Sequence, residues 1–473
     1  MSFRQQQLAG RHRMRPVFGL LAITLIGCVI RLIEIDRWPL WSDEALTLLI
    51  AQWPLEYLLL VPVDPTPGLY YSLHKLLLGS TAGVAAARSI SLVCGTLLIP
   101  ATYFLAREAR IPALLGAVLI ALSFPLIDYS QEARAYSLLV LLIVLSATFF
   151  VRWTRAREVR DLVATLATSI LAFYTHFASV FWIGPAVVAI FWIGRRKAVA
   201  PLLLTAILAV PELLRISRYP SDGFVWLAQA TPIEAADTLA RALLPFRPAG
   251  AWLLLAIVVA AWRAWVHRSK LRSWASANPG AAFAIGALAA APVLIWLFGL
   301  VTRPVFMTRT ILIGVPGVLL VLSLLLKFEP RILRFVIAAL YAASLLATGT
   351  TRQKEDWAGV AERVGNDSIL MCQPGEVAAM RYAAGGRNRI FLNRIDGAAE
   401  MGGEPWQRAY YEIMTDKRRM DEALKLGKAA YPSLEPVWPV LSGKLLANRP
   451  GTLARAIMLC VDQPYRRPRY IPD

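Results

Sequence analysis

Trp41-Ser42-Asp43-Glu44-Ala45 lies in the first loop after the first apolar segment, between Arg37-Trp38-Pro39 and Gln52-Trp53-Pro54. Two adjacent carboxylates there need an explanation, because the chain around them is mostly apolar. Of its 473 residues 57 % are hydrophobic and 17 % charged, with a mean hydropathy of +0.53. A soluble globular chain is about a quarter charged, so the composition reads as a polytopic membrane protein. The formal charge of +19 would suit nucleic acid. Most of that charge, however, falls in short clusters between apolar segments, which argues against a nucleic-acid partner. Four cysteines, two of them in apolar segments (Cys28 and Cys94), form no disulfide framework or zinc pattern. Cys372 and Cys460 lie in the polar tail, where a bridge between them stays open.

A membrane helix needs about 20 mostly apolar residues. Eleven stretches meet that need: 16–35, 84–106, 111–127, 134–152, 161–176, 178–194, 198–214, 250–266, 280–301, 308–326 and 331–349. The run 161–194 is too long for one span and is divided at Thr175-His176-Phe177. Arg4, Arg11, Arg13 and Arg15 before the first run resemble a signal peptide, but no small-residue cleavage site follows, so the run reads as an uncleaved helix.

Basic clusters orient the chain. One side carries the N-terminal arginines, Arg107 and Arg110, Arg152 to Arg160, Arg195-Arg196-Lys197, Arg263 to Arg272, and Lys327 to Arg334. The other side is poorer, and the two alternate across the eleven spans. The rich side is therefore expected in the cytoplasm, with Asp43-Glu44 outside. An odd number of spans also places the tail outside. Residues 1–350 then form a membrane domain and 351–473 an extracytoplasmic α/β domain. Within that tail, 368–372 and 456–460 read as strands and 356–364 and 416–426 as helices. The first outer loop, 36–83, should hold helical pieces at Ala45–Gln52 and Leu69–Leu78, and 215–249 an amphipathic helix at Pro232–Leu244. Loops this long on one face usually build a site.

Several residues on that face can carry chemistry. Asp43-Glu44 could be a solvated acid pair or a helix cap. Trp38, Trp41 and Trp53, which favour the membrane interface, instead place the pair at a depth where carboxylates usually have a task. Asp64-Pro65-Thr66-Pro67-Gly68-Leu69-Tyr70-Tyr71 is a stiff turn that also aims Asp64. Glu132 and Arg134, in Tyr129-Ser130-Gln131-Glu132-Ala133-Arg134-Ala135-Tyr136, need either each other or a ligand. Arg88 faces the same choice, whereas Arg31 is spaced to pair with Glu34. His176 ends Tyr174-Thr175-His176, as a hydrogen-bonding group or a ligand. Arg303 and Arg309 stand among apolar residues on a short outer loop. They suit either snorkelling to lipid head groups or a phosphate, which a guanidinium fork binds bidentately.

The order of these pieces resembles the bacterial GT-C glycosyltransferases, the family of protein O-mannosyltransferases and the lipid A aminoarabinose transferase. The matching elements are Asp43-Glu44, Pro67-Gly68-Leu69-Tyr70-Tyr71, Arg88-Ser89-Ile90-Ser91, Tyr129 to Tyr136, Tyr174 to His176, and Thr308-Arg309-Thr310. Lys354-Glu355-Asp356-Trp357 resembles the lead into the added outer domain of some members. The chain departs from the family with Thr66-Pro67-Gly68 in place of His-Pro-Pro, and Arg309-Thr310 in place of Arg-Tyr. Both departures lie where substrate is expected.

The resemblance implies transfer of a hexose or pentose from a polyprenyl-phosphate donor to a hydroxyl of a lipid, glycan or protein of the cell envelope. It implies the bacterial inner membrane, with the N-terminus cytoplasmic and the tail periplasmic. Such chemistry needs a carboxylate base and cationic stabilisation of the departing phosphate, with inversion at the anomeric carbon. Asp43 is expected as the base and Glu44 as its orienting partner. Arg309 should hold the phosphate with Arg88 or Arg134, and Asp64, Tyr70, Glu132, His176 and Arg303 should line the site. Asp43, Glu44, Asp64 and Glu132 could also gather a divalent metal, although no ligand spacing fixes one. The alternative class is a transporter or flippase for a lipid-linked saccharide, which predicts ionisable groups near the bilayer midplane and broken helices in paired halves. The sequence shows neither.

Overall fold

The computed structural model describes residues 3–52, 54–60, 66–79, 83–217, 229–243, 258–259, 262–302 and 304–349. Beyond these it describes Lys354, Trp357, Glu362, Ala379, Tyr382, Ala383 and four strands. The outward residues Asp64 and Arg303 and the tail cysteines lie outside the described residues, as do the helices expected at 356–364 and 416–426 apart from Trp357 and Glu362.

The chain is a helical membrane bundle. Its helices are α1 (Phe3–Leu32), α2 (Ser42–Ile50), α3 (Leu55–Leu60), α4 (Leu69–Leu78), α5 (Val84–Glu108), α6 (Ala113–Ala121) and α7 (Phe124–Asp128). They continue with α8 (Tyr136–Ala156), α9 (Val159–Phe173), α10 (Val180–Gly194), α11 (Arg196–Ser217) and α12 (Pro232–Leu243). The last are α13 (Arg268–Ala277), α14 (Pro279–Val301), α15 (Thr308–Ile311), α16 (Val315–Leu326) and α17 (Arg331–Thr348). Among the described residues seven helical stretches are long and apolar enough to cross a membrane, with an eighth if the bent pair α6–α7 counts as one. The expected span 161–176 overlaps the 15-residue α9, and most of 250–266 lies outside the described residues.

Burial separates the centre of the bundle from its rim. In α8 72 % of the span is buried, against 11 % in α11, whose Leu203, Leu204 and Ile207 stay exposed. In water such side chains would be costly; in lipid tails they are at home. The centre is formed by α5, α8 and α9, with Ile99, Leu105, Leu139, Ile143, Phe150 and Trp182 fully enclosed.

Two sequence expectations change here. The stretch 111–127 is not a straight span: it breaks at Leu122-Ser123 and bends by 63°. Nor does Arg31 pair with Glu34, whose carboxylate binds Arg37 at 2.5 Å. Arg31 is instead fully buried, donating to the carbonyls of Ile120 (3.2 Å), Ala121 (3.3 Å) and Gly27 (3.0 Å) and to Ser130 Oγ (3.2 Å). A broken helix leaves carbonyls without partners, and within a membrane each one is expensive. Arg31 satisfies them, which is why the break is tolerated.

The outer loop folds as its prolines suggest, with α2, α3 and α4 separated by Pro54 and Pro67. Trp41 rather than Ser42 or Asp43 precedes the first turn of α2, which puts both acids inside that turn. There they complement the positive end of the helix. In the tail the expected strands form, and they pair. The sheet order is β3-β2-β1-β4, where β1 is Ser368–Met371, β2 Ile390–Arg394, β3 Gly397–Glu400 and β4 Ala456–Leu459. Strand β1 lies parallel to both β2 and β4, with Ile369 opposite Ile390 on one side and Ile457 on the other, while β2 and β3 are antiparallel.

Candidate functional site

The N-terminal ends of α2, α5, α8 and α15 meet around Asp43 and Glu44. Along a helix successive residues point about 100° apart, so the two acids face different neighbours. Glu44 is fully buried, and Arg88 grips it in a fork: Nε donates to Oε1 at 2.8 Å and Nη2 to Oε2 at 2.6 Å. The Ala133 amide adds a third bond at 2.8 Å. Arg88 also donates to the carbonyls of Ile35 (2.6 Å), Trp38 (3.1 Å) and Pro39 (3.1 Å). One guanidinium on α5 thus clasps the whole turn from Ile35 to Glu44. Burial alone would raise the Glu44 carboxyl, but the charges of Lys354 and Arg88 and the Ala133 amide outweigh it and hold Glu44 below the usual carboxylate range. Glu44 stays ionised.

Asp43 points the other way. Its Oδ2 accepts from Arg309 Nη1 at 2.8 Å, with side-chain exposures of 22 % and 16 % respectively. This pair can be reached from outside the protein, whereas Glu44–Arg88 cannot. The loop behind Arg309 is fixed by Thr310, whose hydroxyl accepts from the Met307 amide (3.1 Å) and donates to Val305 O (2.8 Å). Thr310 is the residue that departs from the family pattern, and here it shapes the loop that presents Arg309.

Arg134 supports α2 from beneath, donating to Asp43 O (3.2 Å), Thr47 Oγ1 (3.3 Å) and Tyr71 OH (3.3 Å). Tyr70 is fully buried with its hydroxyl 2.8 Å from Ser91 Oγ. Since the Ser91 hydroxyl donates to Arg134 O at 2.9 Å, Tyr70 is the donor in that contact. Burial raises the Tyr70 phenol, so it remains neutral. The structure therefore gives Tyr70, Arg88 and Glu44 internal partners, while Asp43 and Arg309 are the members turned outward.

His176 lies between α9 and α10, half-buried against the ring of Tyr136 at 5.5 Å, which in turn meets Tyr129 at 5.2 Å. Its Nδ1 accepts from the Ala178 amide at 3.0 Å, so the proton of the neutral ring sits on Nε2. Burial, and then the nearby charges of Arg309 and Arg134, push it down to about 3. His176 is thus a neutral group beside the Asp43–Arg309 pair.

Glu132 has a remote partner. Its Oε1 lies 3.1 Å from Lys354 Nζ, a residue beyond the last span, and both side chains are 5 % exposed. Sequence reasoning singled out the Lys354 stretch only as a lead into the tail; no local spacing joins residues 132 and 354. Thr47 and Tyr71 were also missed, although Thr47 stands one helical turn from Asp43 on the same face. Among the described residues no group of three or more His, Cys, Asp or Glu side chains gathers to hold a metal ion.

No protein-family model matches the chain, and no curated protein sequence does. Among solved structures it is similar to ArnT from Cupriavidus metallidurans in the apo state, with 15 % identity and a TM-score of 0.48 over 93 % of this chain and 82 % of that one. It is also similar to the same protein bound to undecaprenyl phosphate, with 14 % identity and a TM-score of 0.44 over 92 % and 82 %. A third likeness is to the Archaeoglobus fulgidus oligosaccharyltransferase tethered with an acceptor peptide, with 12 % identity and a TM-score of 0.47 over 78 % of this chain and 63 % of that one.

Proposed function

We propose that the chain is an integral-membrane glycosyltransferase. It would move a hexose or pentose from a polyprenyl-phosphate donor to a hydroxyl of an envelope lipid, glycan or protein, on the outer face of the inner membrane. The observation that carries this reading is the Asp43–Arg309 pair: a partly exposed carboxylate and guanidinium 2.8 Å apart, on backbone that Arg134 and Thr310 fix by hydrogen bonds.

In this reading Arg309 exchanges partners when the donor binds. The phosphate oxygens take the guanidinium, a bidentate match, and Asp43 is released as the donor arrives. Asp43 then accepts the acceptor's hydroxyl proton, the acceptor oxygen bonds to the anomeric carbon, and the carbon–oxygen bond to phosphate breaks. Polyprenyl phosphate leaves with the bonding pair, its new charge held by Arg309. Attack opposite the leaving group inverts the anomeric centre. Asp64 and Arg303 are proposed as further lining residues on their sequence position alone, and the boundary between a membrane domain and a periplasmic domain near residue 350 is part of the same proposal.

The test is Asp43→Asn expressed in a strain lacking the parent gene, with lipid-linked sugars measured by mass spectrometry. A general base contributes about 10²–10⁴-fold, so the donor should accumulate to the level of the deletion while the protein remains inserted at normal abundance. Near-parental consumption overturns the reading.

A further inference from the structure

Lys354, beyond the last helix, enters the site. Helix α17 ends at Thr348, and Gly349 turns the chain with φ +78°, a left-handed conformation that favours glycine. Five residues later Lys354 is buried, with Nζ 3.1 Å from Glu132 Oε1 and 3.5 Å from Gln131 O. Trp357, 8 % exposed, packs into the main core just beyond it.

The turn that Lys354 grips is the hub of the site. Gln131 Nε2 donates to the carbonyls of Arg31 (3.1 Å) and Ile33 (2.7 Å), fixing the exit of α1. The Ala133 amide and Arg134 hold Glu44 and Asp43 as described. The charges also count. Among the described residues four carboxylates, Asp43, Glu44, Asp128 and Glu132, stand with five cations, Arg31, Arg88, Arg134, Arg309 and Lys354, and His176 is neutral. One positive charge is left over, and a sugar phosphodiester carries one negative charge. Without Lys354 the cluster would be balanced before any donor arrived.

We propose that Lys354 is a positioning residue which supplies that surplus charge, so that the site is ready for a phosphate-bearing lipid only while Lys354 is seated on Glu132. This rests on the phosphate-donor reading above. An ion pair that merely braced the fold would lose the same from either partner; a charge that prepares the site for an anion would not.

The experiment uses the full chain in nanodiscs with undecaprenyl phosphate as the probe, its binding followed by native mass spectrometry. Lys354→Met should weaken binding about tenfold or more, as loss of a desolvated charge does, and Lys354→Arg should retain it. Glu132→Gln, which removes a negative charge, should bind the probe at least as well as the parent. Unchanged binding by Lys354→Met, or equal weakening by Lys354→Met and Glu132→Gln, overturns the proposal. Should Lys354→Met fail to fold, weakened binding by Glu132→Gln does so by itself. A parent chain that does not bind the probe overturns the donor reading and this inference together. Parental donor consumption by Asp43→Asn overturns the catalytic role alone and leaves the binding result standing.

Discussion

Asp43 and Glu44 are neighbours in the chain, yet their carboxylates are held by cations far apart in the sequence. Glu44 is sealed against Arg88 on α5, and Asp43 meets Arg309 at the site's open edge. The same first turn of α2 thus carries a buried acid that braces the turn and a more accessible one that the proposed reading takes as the base. Helix geometry makes this division: one residue of advance rotates the side chain by about 100°, enough to turn it from the interior to the opening.

Removing one partner from the buried pair should be costly, because an unpaired charge is left inside. Glu44→Gln or Arg88→Met is expected to lose about 3–5 kcal/mol of stability, and the double substitution less than the sum of the two. Thermal unfolding of the detergent-solubilised variants measures both. A loss below about 1 kcal/mol in either single variant would mean that the pair is not sealed.

Substitution at Arg309 should act on the donor. Arg309→Lys keeps a point charge but loses the planar fork, and a rise of about tenfold in the donor KM is expected. Arg309→Ala should lose about a hundredfold in kcat/KM, since the developing phosphate charge then has no cation on it. Both variants should fold, because the side chain is partly exposed. Steady-state kinetics with purified lipid-linked sugar separates the two constants.

His176 predicts a pH dependence of stability. In the unfolded chain it takes a proton below about 6.5, whereas in the folded protein it resists down to about 3. The unfolded state therefore binds more protons in that window, and the contribution of His176 to stability falls as the pH drops through it. The slope is at most about 1.4 kcal/mol per pH unit for one proton. Unfolding midpoints followed from pH 7 to pH 4 should decline more steeply for the parent than for His176→Phe, which keeps the ring contact with Tyr136.

Gly95 on α5 touches the hub turn directly. A Cβ placed there would overlap the hydroxyl of Ser130 and press on Arg31 Nε. Gly95→Ala should cost about 1–3 kcal/mol and should also lower activity, because Ser130 begins the Ser130–Arg134 segment that holds α2. By contrast, Gly83→Ala at the start of α5, where nothing lies near, should leave activity unchanged. Comparing the two in thermal unfolding and donor consumption tests whether that segment transmits the damage.

Much of the architecture is legible in the chain itself, because a membrane fixes the length of an apolar helix and a short apolar run in a polar tail fixes a strand. The helices between residues 36 and 83 and the strands at 368 and 456 all follow from patterns a few residues long. Local pattern fails where a partner is remote. Arg31 is spaced for Glu34 but caps the broken α6. Glu132 is spaced for Arg134 but meets Lys354. Arg88 stands in a family motif but closes on Glu44. What the sequence determines by itself is which segments are apolar and where acids and cations gather between them, and hence that charged groups cluster at the ends of a helical bundle. What only the tertiary structure decided is which charge answers which, for buried charges choose partners by desolvation and geometry, and both depend on residues that the folded chain alone brings together.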